Sequence, residues 1–441
     1  MRRIIVLAVL LFLVYVIHAV GADSPRPYGD EAVLVFGFAL IVSWMAGQLT
    51  SRLRLPMMTG YLLAGFLFGP YVIGAFDAYL TPFTPRAMRD LELIDGLALG
   101  LIAFTAGGEL KVASLRPQLR TIGLISGVQS IVVSVGVGAG FLALSTHLPF
   151  LAHLPFNARL AAAIIVGICA VAPSPAANIA VITELGARGP FPTLAMGATV
   201  LNDVITILLF SVAMLVAGKL LTPQAGVDLS LLALVSWELV GSLVIGLVLG
   251  WLLRLYIRYI GRELPVLMLA LSFVANEAAT HFHLSGILLC LAAGFYIENY
   301  TEHGPDMVAA LRRYRLPVFI VFFTLAGAKI DLPLLRQIWP VTLAVVAIRV
   351  ALIFLGCRLG ARIAAAPAVE RNLIWMVLVA QAGVSIGLAN IVGESLPVIG
   401  RDLQTLGITI IGCNELLGPI LMRYALTHAD ERPPSWTSQD K

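Results

Sequence analysis

The chain has 441 residues, of which 59% are hydrophobic and 12% charged, with a net charge of +4. Soluble domains carry about 25% charged residues, so too little charge is present to coat a water-facing surface, and the scattered basic residues form no nucleic-acid footprint. The apolar runs instead approach or exceed the ~20 residues that span a bilayer as a helix, and they lack the alternation of a membrane β-barrel.

Residues 1–22 come first. Arg2 and Arg3 precede an apolar run from Ile4 to Val20, and Val20-Gly21-Ala22 suits signal cleavage. This segment is a signal peptide, the slightly preferred reading, or an extra N-terminal helix. Thirteen apolar spans follow, at 31–50, 57–76, 92–110, 121–145, 159–183, 192–218, 230–256, 264–280, 284–300, 315–330, 338–360, 371–393 and 403–425. Residues 428–441 are polar and contain Pro433-Pro434, the composition of a disordered tail. The loops after odd-numbered spans hold fifteen Lys and Arg residues and those after even-numbered spans seven. Basic loops stay in the cytoplasm, so span 1 starts outside and the C-terminus is cytoplasmic, in a bacterial-type inner membrane.

The spans repeat. Ala106-Gly107-Gly108-Glu109-Leu110 at the end of span 3 matches Ala326-Gly327-Ala328-Lys329-Ile330 at the end of span 10. Ala177-Asn178 matches Ala389-Asn390, and Asn202-Asp203 matches Asn414-Glu415. These pairs relate a first six-helix half (31–218) to a second (264–427), with 230–256 as a connector. Span 3 leads to a cytoplasmic loop and span 10 to an external one, so the halves are inverted, as in many transporters. The expected fold is an all-α membrane protein of two inverted six-helix repeats.

Two spans carry breaks at matching depth. Pro173 and Pro175 flank Ser174 in span 5, and proline removes a backbone donor and clashes with the preceding turn. In span 12, Gly383, Ser385 and Gly387 weaken the helix after Gln381-Ala382. Symmetric interruptions inside a bilayer point to a binding site between two crossing broken helices.

The buried charges sharpen this. Asp203 sits in Leu201-Asn202-Asp203-Val204-Ile205, and an ionised aspartate at mid-membrane costs at least about 2.5–3.5 kcal/mol. A carboxyl that takes either a proton or a cation, but not both, is by itself an exchanger, and Asn202 offers a neutral amide beside it. Arg349, deep in span 11, keeps its proton and needs Asp203, Glu415 or the carbonyl end of a broken half-helix as its partner. Glu415 balances that charge or packs structurally. Glu277 reads as interfacial, and His281 and His283 as a polar turn. Cys169, Cys290, Cys357 and Cys413 show no metal spacing, and Gly136-Val137-Gly138-Ala139-Gly140 is no phosphate loop. Gly65/Gly69, Gly246/Gly250, Gly356/Gly360 and Gly383/Gly387 have the small-xxx-small spacing of close helix packing.

Together these residues resemble the monovalent cation:proton antiporters, the sodium/hydrogen exchanger domain, over about 31–427. Gly60-Tyr61-Leu62-Leu63-Ala64-Gly65-Phe66-Leu67-Phe68-Gly69-Pro70 resembles the second span of that family, Thr105 to Leu110 its third, and Asn202-Asp203 its ion-binding pair. Arg349 falls where the family has a basic residue, and Gln381-Ala382-Gly383 is similar to the start of its second broken helix. The resemblance implies a homodimer with a mobile core of spans 5, 6, 11, 12 and 13, Asp203 as alternating carrier of proton and cation, and electroneutral one-for-one exchange. It differs in two places: Pro173-Ser174-Pro175 stands where the sodium exchangers usually have Thr-Asp-Pro, and Ala198 where some have glutamate. Both changes remove negative charge, so potassium rivals sodium as the cation. The function expected is secondary antiport of Na+ or K+ against H+ by alternating access, with Ser174, Asn202 and Asp203 at the ion. The rival readings are a same-fold transporter of another solute such as an anion, or a non-transporting sensor. No cofactor, no metal beyond the transported cation, no nucleic acid and no enzymatic centre are expected.

Overall fold

The computed structural model describes residues 30–76, 83, 87–88, 91–108, 110–221, 229–261, 263–282, 284–312, 315–330, 332–396 and 398–429. The expectations for residues 1–22, for the tail beyond Ala429 and for Glu109 and His283 lie outside them. His428, expected at the start of the tail, belongs to the last helix.

Every regular element among the described residues is helical. In order these are α1 (Asp30–Arg52), α2 (Met57–Phe68), α3 (Glu92–Gly108), α4 (Leu119–Leu144), α5 (Phe156–Cys169), α6 (Pro175–Leu185), α7 (Pro190–Leu221) and α8 (Leu229–Tyr259). There follow α9 (Leu264–Phe282), α10 (Gly286–Tyr300), α11 (Arg315–Ala328), α12 (Leu332–Ile363), α13 (Ala368–Val377), α14 (Gly383–Ser395) and α15 (Gly400–His428). Six segments among the described residues are long and apolar enough to cross a bilayer: Met57–Ala75, Val112–His147, Pro190–Leu221, Val240–Tyr259, Ile338–Ile363 and Gly400–His428. Their outward faces carry large apolar side chains such as Val135, Val212, Val248 and Leu355. In water these would be a penalty; against lipid tails they match the solvent.

Two groups of helices result. α4, α5, α6, α7 and α12–α15 pack on one another, with α4 against α12 as the most extensive pair. α1, α2 and α11 form a second cluster, and α3 packs on α9 and α10, with α8 against α10. Small residues set the approach. A Cβ at Gly65 would overlap the Thr324 carbonyl, and one at Gly327 the Leu62 carbonyl, so α2 and α11 touch backbone to backbone. Between α12 and α4, a Cβ at Gly356 would lie 2.8 Å from Gln129 Cα, and one at Gly360 2.7 Å from Ile125 Cα. Gly246 and Gly250 bring α8 against α10 in the same way. Gly387 differs: its Cβ would meet nothing within 4 Å, so it faces open space and is not a packing glycine.

Candidate functional site

The site forms where two helices stop and restart. α5 ends at Cys169 and α6 begins at Pro175. Pro175 takes the first helical position, where a missing N–H costs nothing. Ser174 is the N-cap: its Oγ accepts a hydrogen bond from the Ala177 amide at 3.1 Å. Pro173 lies in the irregular link before it. The second interruption runs over 378–382, between Val377 and Gly383. This corrects the expected position: Gly383, Ser385 and Gly387 are not the break but lie within the first turns of α14. No proline or glycine stands in 378–382, so the break there is held by tertiary contacts.

Arg349 makes those contacts. It is wholly buried in α12. Its Nε donates to the Ala170 carbonyl at 2.7 Å and its Nη2 to that of Ala172 at 3.4 Å, in the first interruption. Its Nη1 donates to the Val379 carbonyl at 2.6 Å and Nη2 to that of Leu378 at 3.3 Å, in the second. Two helix C-termini, each worth about half a negative charge, therefore point at one guanidinium, which also satisfies carbonyls left over where the helices end. Among the described residues Arg349 makes no ion pair with Asp203 or Glu415. Both Glu415 oxygens are buried with no hydrogen-bond partner, so Glu415 is not the charge-balancing partner of Arg349.

A net of amides ties the two interruptions to the long helices. Gln381 Nε2 donates to the Cys169 carbonyl at 3.0 Å, and its Oε1 accepts from Asn414 Nδ2 of α15 at 2.9 Å. Asn178 Nδ2 donates to Thr199 Oγ1 of α7 at 2.9 Å and to the Val377 carbonyl at 3.1 Å. Asp203 sits one turn beyond Thr199. It is 2% exposed, and its Oδ1 is buried without a partner. Asn202 Oδ1 accepts from Ser130 Oγ of α4 at 3.2 Å, while its Nδ2 has no partner. Asp203, Ile207 and Phe210 share one face of α7 by their spacing. Ile207 and Phe210 line a cavity of about 220 Å³ with Glu238, Asn276 and Gly387.

This architecture is found elsewhere. The family model described as sodium/hydrogen exchanger, transmembrane, matches residues 36–423. The chain belongs to the sodium/hydrogen exchanger family. The members of this family are transporters rather than enzymes. The Na(+)/H(+)-K(+) antiporter GerN of Bacillus cereus is 23% identical to this exchanger-family chain, over 91% of it and 98% of GerN. The probable Na(+)/H(+) antiporter 3 of Methanocaldococcus jannaschii is 21% identical over 88% and 95% of the two chains. In fold, the sodium proton antiporter MjNhaP1 from the same organism superposes with a TM-score of 0.69 at 18% identity, covering 91% of this chain and 99% of that one.

Within this exchanger domain, the structure brings Ser174, Arg349 and Gln381 together at the interruptions, with Asn202 and Asp203 beside them on α7. It leaves Glu415 without a bond to Arg349, and Glu277 and His281 exposed. Sequence reasoning missed Asn178, Thr199, Ser130 and Asn414 as parts of the site. The repeat marked two of them: Asn178 and Asn414 each stand in a matched pair, but their buried bonding has no local signal.

Proposed function

We propose that this exchanger-family protein carries out secondary antiport of a monovalent cation, Na+ or K+, against H+ by alternating access, with Asp203 holding proton and cation in turn. The observation that carries the reading is Asp203 itself: a buried carboxyl on a long membrane helix, with an oxygen that no protein group satisfies, one turn from the junction of two broken helices. An ionised group so placed bears a large desolvation cost, which a proton or a cation removes. Asn202 Nδ2 and Ser174 lie in the same region, and the cavity over Ile207 and Phe210 offers an approach along the face of α7.

The finer architecture follows from the same reading. Counting each broken pair as one crossing gives thirteen spans, with α8 as connector between two inverted halves. In that scheme α2 and α10 correspond, as do α3 and α11, and the packing of α2 on α11 mirrors that of α3 on α10. The helices α4–α7 and α12–α15 form the moving core of a homodimer in the inner membrane, and the C-terminus is cytoplasmic. Against the rival anion reading, the Arg349 guanidinium is engaged by four carbonyls.

The test is dissipation of a pH gradient in proteoliposomes by sodium, potassium and lithium in turn, with wild type against Asp203→Asn. The reading expects a response to at least one cation in the wild type and none in the variant. No proton movement with any cation in the wild type overturns it.

A further inference from the structure

The apolar length of α8 carries a single acidic residue, Glu238. It is partly buried, and it lines the cavity of about 220 Å³ over Ile207 and Phe210. That cavity lies between the two groups of helices. Glu238 of α8, Asn276 of α9 and Ser285 at the start of α10 stand on one side, and Ile207 and Phe210 of α7 with Gly387 of α14 on the other. Among the described residues of the lining, Glu238 is the only charged one, and no ion pair engages it. Asn276 and Ser285 add an amide and a hydroxyl; apart from the Cys290 thiol, the rest of the wall is apolar or glycine. An unpaired carboxylate between such walls is costly until a positive charge joins it.

We propose that Glu238 forms a capture site for the monovalent cation on the connector helix, drawing it into this cavity before it reaches Asp203. One negative charge in a cleft with low-dielectric walls focuses its field there, and raises the local concentration and arrival rate of counter-ions by roughly 10- to 1,000-fold. The same charge repels anions, so the cavity selects by sign. The donors offered by a carboxylate, an amide and a hydroxyl are oxygens, which hard cations take as ligands. The path to the carrier is short: Ile207, on the cavity wall, stands one turn beyond Asp203 on the same face of α7. Glu238 itself lies outside the core. In the alternating-access scheme it therefore acts on cations arriving from one side of the membrane, the external side in the topology proposed above. The transport half of this inference rests on the exchange reading; the charge of the cavity does not.

The experiment has two arms on the full chain in proteoliposomes. The first reads the charge of the cavity through Gly387→Cys, since a Cβ at Gly387 meets nothing within 4 Å. A cationic and an anionic methanethiosulfonate of similar size are applied, and labelling of the parent chain is subtracted. The cationic reagent is expected to react several-fold faster, and Glu238→Gln to abolish that preference. The same rate ratio with and without Glu238, or no labelling by either reagent, overturns the proposal. In the transport arm, Glu238→Gln is expected to raise several-fold the cation concentration for half-maximal exchange, with the maximal rate kept and Glu238→Asp recovering the wild-type value. The rise is confined to cation offered on the side from which Gly387→Cys is labelled. Unchanged half-saturation, or a fall in maximal rate alone, overturns the capture role. If Glu238→Gln does not fold, Glu238→Ser takes its place in both arms. A wild type without exchange defeats the exchange reading, while the labelling arm still decides the charge of the cavity.

Discussion

At the scale of single residues, the buried charges behave differently because their partners differ. Asp203 has an oxygen with no protein partner to lose. Asp203→Asn is therefore expected to end cation-driven proton movement while the melting temperature holds or rises, as read by transport assay and thermal unfolding in detergent. Arg349 is the opposite case. Arg349→Ala leaves four buried carbonyls unpaired, with a cost on the order of 3–5 kcal/mol. Arg349→Lys recovers only part of it, because one ammonium does not reproduce a planar fork that spans two interruptions. A thermal shift series of the three proteins checks both statements. The charges were legible in the sequence because ionisable residues in apolar spans stand out. Which carbonyls Arg349 binds was not, since Ala170, Ala172, Leu378 and Val379 act through backbone alone.

Elements show where local pattern stops being informative. Pro173 and Pro175 announce the first interruption, yet Pro419 sits inside an unbroken α15. The second interruption has neither proline nor glycine and is shaped by Arg349 from another helix, so the sequence places it a few residues late, at Gly383. Most helix limits otherwise lie within a few residues of the apolar runs. Helix contacts also separate glycines of identical spacing. Gly65→Ala and Gly327→Ala push a methyl into a facing carbonyl and are expected to cost about 1–3 kcal/mol each, seen as lower yield and lower melting temperature. Gly387→Ala meets open space and is expected to be neutral, or to stabilise α14 by about 0.5–1 kcal/mol, in the same assay.

On the scale of the molecule, a polar contact joins the two groups of helices at one end. The Glu184 carboxylate accepts from the Met57 amide at the start of α2, at 2.9 and 3.1 Å, and pairs with Arg423 of α15. Glu184→Gln weakens charge-assisted bonds, and faster amide hydrogen exchange at the start of α2 is the expected outcome; unchanged protection there refutes the role of this contact as a clasp. The junction at Arg349 has a wider consequence. Two helix ends of about −0.5 each and one guanidinium sum to nearly nothing, so on the proposed exchange reading the charge at the junction is set by whatever Asp203 holds. On that reading, a junction loaded with a proton or a monovalent ion is neutral and crosses at little cost. Empty, it drags a full charge through hydrocarbon at a cost of at least about 2.5–3.5 kcal/mol, which slows the return on the order of 100-fold. A divalent ion overshoots by the same amount. On the proposed exchange reading, tight coupling and a preference for single valence thus follow from one arginine whose charge is already matched by backbone carbonyls.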